Sequence, residues 1–312
     1  MATIAARRRL RLGLRHCFAV PLAVLAVIAG CTGAVRESSQ LPLPRSTSHA
    51  AATTSLPVSA TAAPVNATGL RVDLVPAAGG TMGYLVGVPQ APAPAGGYPT
   101  IVYLHGFGER GNGSAAGLVT LEHTGLPQLA VRSQLPAAAG GFLLLAPQTD
   151  RQAWSATDVR RWLLSMSTRY PIDAHRTYLT GVSMGGGGVV RYLDTYGRSA
   201  GVAAAAPIAG DWTPLPPVTG LPSCPRLATT PIWAFAGDID DVVPHQFSIN
   251  LVGYLRTHCA AAEGDRLTLY QGRFHDVWTH TYDLSGEADK TDARFDVYRP
   301  DLYTWFLQHR LP

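Results

Sequence analysis

Between residues 69 and 312, short apolar runs alternate with stretches in which apolar residues recur every three or four positions. The runs fall at 72–75, 84–88, 100–104, 141–146, 177–180, 202–208, 232–236 and 267–270. They read as strands, most of them continuous enough to be buried on both faces. Val159, Trp162, Leu163 and Met166 sit at the i, i+3, i+4, i+7 spacing of one helix, with Thr157 or Asp158 near its start and Pro171 closing it. Phe247, Leu251, Tyr254, Leu255 and His258 share a face of another. Strands alternating with helices imply the α/β class, a mostly parallel sheet with helices on both faces. Roughly 244 residues suffice for a single domain with its own core. Ligands of such sheets bind outside the carboxyl ends of the strands, so chemistry is to be sought in the loops that follow them.

The first 68 residues follow a different pattern. Arg7, Arg8, Arg9, Arg11 and Arg15 precede an apolar run from Cys17 to Ile28 that ends in the small residues Ala29 and Gly30. A charged start, a short apolar stretch and a small-residue end make a secretory signal. At about 14 residues the run falls short of the ~20 that a membrane-spanning helix needs. Ile28-Ala29-Gly30-Cys31 resembles a bacterial lipobox, with Cys31 the residue to be lipidated. Residues 31–68, rich in Ser, Thr, Ala and Pro without apolar periodicity, read as a flexible tether. The expected layout is therefore a signal peptide at 1–30, a lipidated cysteine and tether at 31–68, and a domain at 69–312, placed outside the cytoplasm on a membrane anchor or else secreted.

Composition changes its meaning once divided this way. The formal charge of +4 invites a nucleic-acid partner, but without the five leader arginines only 20 basic residues face 21 acids. The body thus lacks a basic stripe for phosphates, and no nucleic-acid partner is expected. Of four cysteines, Cys17 falls in the signal and Cys31 at the anchor; Cys224 and Cys259 remain as a candidate disulfide pair in an oxidising compartment. The four cysteines have no zinc-ligand spacing, and no metal or organic cofactor is expected.

The chemistry centres on one turn. The strand at 177–180 runs into Gly181-Val182-Ser183-Met184-Gly185, followed by glycines and a helical pattern. This is G-x-S-x-G in the strand–turn–helix context that gives the motif its meaning, with Ser183 the candidate nucleophile and the Met184 N–H aimed at a developing oxyanion. A serine hydroxyl needs a base held by a third group, and the chain order expected here is Ser, acid, His. Asp238, Asp240 and Asp241 crowd the loop after the strand at 232–236. His275 follows the next strand; its competitors His245 and His280 fall in helical patterns. Earlier, His105-Gly106-Phe107-Gly108-Glu109-Arg110-Gly111 ends the strand at 100–104. The Phe107 N–H is the candidate second oxyanion donor, and His105 reads as a structural histidine under the loop. Trp154, after the strand end at Pro147-Gln148, and Trp212, opening the Pro-rich segment 211–230, are candidate walls of a substrate pocket.

These segments together resemble the α/β-hydrolase superfamily, and more narrowly bacterial secreted esterases related to polyhydroxybutyrate depolymerases and feruloyl esterases, including predicted peptidases and phospholipase/carboxylesterases. The resemblance spreads over most of residues 100–285. In those relatives the acid loop resembles H-G-x-x-D-x-x-V-P, which places the acid on Asp240, although Ala236 stands where the histidine is usual. The resemblance implies ester hydrolysis through Ser183, His275 and Asp240 and an acyl-enzyme, on a small-molecule or polymer ester. A peptidase with the same side chains and a non-catalytic, lipid-anchored binding protein are the alternatives.

Overall fold

The computed structural model describes residues 69–211, 224–259 and 264–312. The leader, Cys31, the 31–68 tether and Trp212 lie outside the described residues. Eight strands form one sheet: β1 (Leu70–Val75), β2 (Tyr84–Pro89), β3 (Tyr98–Leu104), β4 (Leu143–Pro147), β5 (Ile172–Val182), β6 (Ala204–Ile208), β7 (Trp233–Gly237) and β8 (Arg266–Tyr270). Their order is β1-β2-β4-β3-β5-β6-β7-β8. β2 runs antiparallel to both β1 and β4, and every other neighbouring pair is parallel. Each apolar run of the sequence became a strand. The continuous runs of β3, β4, β6 and β7 are buried throughout, whereas β1, at the edge, is half-exposed.

Successive side chains of a strand point to opposite faces, and the core divides accordingly. On β3, Ile101 and Tyr103 join one apolar cluster while Val102 and Leu104 join another. The helix Ala156–Met166 buries Val159, Trp162 and Met166 as the spacing predicts. Its cap is Ser155, whose Oγ accepts the Asp158 N–H at 3.2 Å, rather than Thr157 or Asp158. The helix Gln246–His258 buries Ser248, Leu251, Val252 and Leu255. The expected face was therefore off by part of a turn: Tyr254 and His258 stack on each other, 5.0 Å between ring centroids, away from that buried row. A last helix, Leu302–Leu307, capped by Asp301, sets Trp305 against Trp233 and Phe306 against Tyr178. Cys224 and Cys259 are joined in a disulfide that ties the helix Cys224–Leu227 to the end of Gln246–His258. Among the described residues no helix is long and apolar enough to cross a membrane.

Candidate active site

β5 ends at Val182 and the helix Met184–Tyr196 begins two residues later, so the whole reversal falls on Ser183. Its backbone takes φ 53° and ψ −119°, a region that costs a residue with a side chain of order 1–3 kcal/mol unless the surroundings impose it. Here they do. The Ser183 N–H donates to the Ile208 carbonyl at 2.9 Å, and its carbonyl accepts the N–H of Gly187 and of Asp211 at 3.1 and 3.0 Å. The flanking glycines are steric requirements: a Cβ on Gly185 would collide with the Leu104 carbonyl oxygen, and one on Gly181 would stand 2.6 Å from the Gly185 oxygen.

Three strand ends meet at this turn. His275, in the loop after β8, lies with Nε2 3.0 Å from Ser183 Oγ. Its other ring nitrogen is 2.8 Å from Asp240 Oδ2, in the loop after β7. With the proton on Nδ1 donated to Asp240, Nε2 is the acceptor for the serine hydroxyl. Asp240 Oδ1 accepts the N–H of Val242 and Val243 at 2.9 and 2.8 Å. Burial pushes the Asp240 carboxyl up, but the His275 bond and those two N–H donors outweigh it and hold the group below its ordinary range, so it stays ionised. Asp238 is engaged elsewhere, accepting the Gly272 N–H at 2.7 Å and pinning the β7 loop to the turn after β8. Asp241 is exposed, His245 stands at the start of the helix Gln246–His258, and His280 bonds Ser285 at 2.9 Å.

The loop after β3 approaches from the other side. A Cβ on Gly106 would stand 3.7 Å from the Ser183 Cβ. Phe107 opens a short 3-10 turn, Phe107–Glu109, and Met184 opens the following helix, positions at which the backbone N–H has no partner in the helix's own ladder. The Phe107 ring is 51% exposed, with the Arg110 guanidinium 3.5 Å from its centre. His105 is fully buried beneath the loop: Nδ1–H donates to the Gly106 carbonyl at 2.6 Å and Nε2 accepts the Thr149 N–H at 3.1 Å. Burial, the largest influence, lowers its pKa to about 4 and keeps the ring neutral.

Trp154 is a buried side chain. It is 2% exposed, its indole N–H donates to the His105 carbonyl at 3.0 Å, and a Cβ on Gly188 would press on it at 2.7 Å. Its size and N–H serve to wedge the His105 loop against the helix Met184–Tyr196. Gln148 has a structural part that the sequence did not reveal. Its side chain donates to the carbonyls of Glu109 and Gly117 and accepts the Gly113 N–H, bracing the loop from behind. A cavity of about 400 Å³ opens on the far side of that brace, with Met82, Asn112, Gln148, Arg151, Asp158 and Trp162 among its walls; Ser183, His275 and Asp240 are not among them. Among the described residues no group of His, Cys, Asp and Glu is arranged to hold a metal.

No family model and no curated protein matches the chain. Solved structures do. A thermostable esterase is similar at 23% identity and a TM-score of 0.52, over 78% of this chain and 64% of that one. A serine-to-alanine variant of the feruloyl esterase module from Clostridium thermocellum, complexed with sinapinate, is similar at 13% identity and a TM-score of 0.50, over 70% of this chain and 86% of that one. The fold is the α/β-hydrolase fold. Within the α/β-hydrolase fold, a serine on a strained turn between strand and helix, followed in the chain by an acid and a histidine, is the arrangement suited to acyl transfer. This chain spans about two thirds of the thermostable esterase's length.

Proposed function

We propose that this chain is an extracytoplasmic serine hydrolase that cleaves carboxylic esters through an acyl-enzyme. The observation that carries the reading is the unbroken chain of two hydrogen bonds from Ser183 through His275 to an ionised Asp240. In the scheme His275 Nε2 takes the hydroxyl proton as Ser183 Oγ attacks the ester carbonyl. The N–H groups of Phe107 and Met184 receive the negative charge on the carbonyl oxygen. Collapse expels the alcohol, to which His275 returns the proton; water then repeats the sequence on the acyl-enzyme and frees the acid and Ser183. Asp240 keeps Nδ1–H in place and stabilises the imidazolium. The names of the two similar structures, a thermostable esterase and a feruloyl esterase module, favour an ester over an amide.

The anchor belongs to the same proposal. Cys31 carries the lipid and residues 31–68 hold the hydrolase away from the membrane. The leader arginines, the lipobox-like Ile28-Ala29-Gly30-Cys31 and the disulfide between Cys224 and Cys259, a bond of oxidising compartments, support it. A fluorophosphonate probe tests the chemistry: labelling should map to Ser183, with turnover of p-nitrophenyl esters well above that of peptide anilides. Anilide cleavage without esterase activity would make the protein a peptidase, and failure to label would make it a binding protein. For the anchor, an alkyne-palmitate label should be incorporated by the native chain and lost in Cys31→Ala; equal incorporation in both excludes Cys31 as the site.

A further inference from the structure

The loop that supplies the Phe107 N–H also carries a carboxylate that the scheme above does not use. Glu109 is 9% exposed, and its side chain has no hydrogen bond or ion pair among the described residues. Charges so far buried are ordinarily paired. Its backbone, in contrast, is fixed: the Glu109 carbonyl accepts the Thr120 hydroxyl at 3.0 Å and the Gln148 amide at 2.9 Å. The carboxylate thus rises from a fixed stretch of backbone without a partner of its own. The fully buried side-chain atoms without a partner include the Tyr103 hydroxyl but neither oxygen of Glu109, so the carboxylate still reaches water.

Its position relative to the nucleophile follows from Gly106. A Cβ there would stand 3.0 Å from Glu109 Oε2, 3.6 Å from Val182 Cγ2 and 3.7 Å from Ser183 Cβ. The carboxylate oxygen therefore lies within about 7 Å of the Ser183 Cβ. The adjacent cation does not neutralise it. Arg110 is folded over the Phe107 ring and donates through Nε to the Phe107 carbonyl at 2.9 Å. The negative charge is also felt below the loop: the Tyr103 phenol is held well above its ordinary pKa by burial first, and then by Tyr282 and Glu109.

We propose that Glu109 forms a subsite for a cationic group, an ammonium carried on the acyl or the alcohol part of the ester, and disfavours esters that carry a carboxylate there. The inference rests on Ser183 being the nucleophile. A group roughly four or five bonds from the reacting carbonyl spans the distance to the carboxylate. At that range and a dielectric of about 20 to 40, a unit charge on the substrate changes kcat/KM roughly tenfold to fiftyfold.

The test compares substrates of one shape and different charge. On the acyl side these are the p-nitrophenyl esters of 4-(trimethylammonio)butanoate and of 5,5-dimethylhexanoate, with the hemiadipate as the anionic member. On the alcohol side they are acetylcholine and 3,3-dimethylbutyl acetate. In the native protein the cationic ester of at least one pair should exceed its neutral isostere by about tenfold or more in kcat/KM, with the hemiadipate slowest. That preference should shrink as salt is raised. In Glu109→Gln the cationic-to-neutral ratio should fall toward one while the hemiadipate gains relative to the neutral ester. A purely structural Glu109 would lower all rates together and leave the ratios in place, which overturns the proposal; so does a native protein with no preference in either pair, a measurement that needs no variant. Fluorophosphonate labelling of Ser183, run in parallel, separates these outcomes from a failure of the hydrolase reading, in which no label and no turnover appear.

Discussion

Asp240 Oδ2 holds the His275 ring at 2.8 Å while its second oxygen is gripped by the backbone of Val242 and Val243, so the carboxylate has one orientation. Asp238, two residues away, spends its Oδ1 on the Gly272 N–H. The two neighbours should therefore separate cleanly on substitution. Asp240→Asn leaves the ring without its ionised partner and favours the wrong tautomer, and kcat on a soluble ester should fall by roughly 10³- to 10⁴-fold. Asp238→Ala should keep activity within about threefold and cost about 1 kcal/mol or less in urea unfolding, because it removes one solvent-exposed loop hydrogen bond whose N–H water can then satisfy. The reverse pattern would move the acid to Asp238.

The glycines of the site divide by what surrounds them. Gly185 faces the Leu104 carbonyl with no room for a methyl group, and both partners are backbone that cannot rotate away. Gly108, in the loop after β3, has nothing within 4 Å of a Cβ and no positive φ. Gly185→Ala should lower stability by about 3 kcal/mol or more, beyond ordinary core overpacking, and soluble yield with it. Gly108→Ala should fold like the native protein, within about 0.5 kcal/mol by urea titration. A well-folded, active Gly185→Ala would mean that the turn is looser than its contacts.

Two buried groups set opposing pH dependences over nearly the same window. His105 titrates near 6.5 in the unfolded chain and at about 4 in the fold, where burial disfavours its charge. Between those values only the unfolded chain takes the proton, so stability is lost as pH falls, about 3 kcal/mol in full. Asp265 has its carboxyl raised from 3.8 to about 6 by burial, against the Ile232 N–H and Arg256. There the folded state takes the proton first, and stability is lost as pH rises from about 4 through 6, again by about 3 kcal/mol. The native protein should accordingly vary little between pH 4 and 6 on account of this pair. Asp265→Asn should expose the His105 trend, its urea midpoint dropping toward acid; His105→Gln should show the opposite slope. Parallel midpoint curves for all three proteins would refute the assignment.

The strands and the nucleophile turn were legible because their signals are local. A continuous apolar run survives any tertiary context, and Gly181-Val182-Ser183-Met184-Gly185 encodes a backbone shape that the fold realises at Ser183. What the sequence left hidden depends on distant partners. An aromatic after a strand end can serve as wall or as wedge, and the bond of Trp154 to the His105 carbonyl depends on a partner 49 residues away. The face of the helix Gln246–His258 was misread because Tyr254 and His258 satisfy each other by stacking, while small Ser248 takes the buried place. Gln148 and Glu109 stand inside the segments Pro147-Gln148 and His105 to Gly111, but nothing in either segment tells what the side chain meets. One braces a loop from 39 residues away and the other is notable only for lacking a partner, and neither property has a local signature.

The disulfide offers a prediction that bears on stability and compartment together. Cys224 and Cys259 are 35 residues apart, and closing a loop of that size in the unfolded chain is worth about 3–4 kcal/mol. The bond joins two helix ends and touches none of Ser183, His275 or Asp240. Reduction, or the paired change Cys224→Ala with Cys259→Ala, should therefore lower the unfolding free energy by that amount, with the urea midpoint falling accordingly, and leave kcat on a soluble ester near its native value at 25 °C, where enough stability remains. Protein exported to an oxidising compartment should lose its margin on adding dithiothreitol, and the doubly substituted protein should not respond. If exported native protein shows the same midpoint with and without the reductant, the thiols are not paired there, and one of the supports for an extracytoplasmic hydrolase falls.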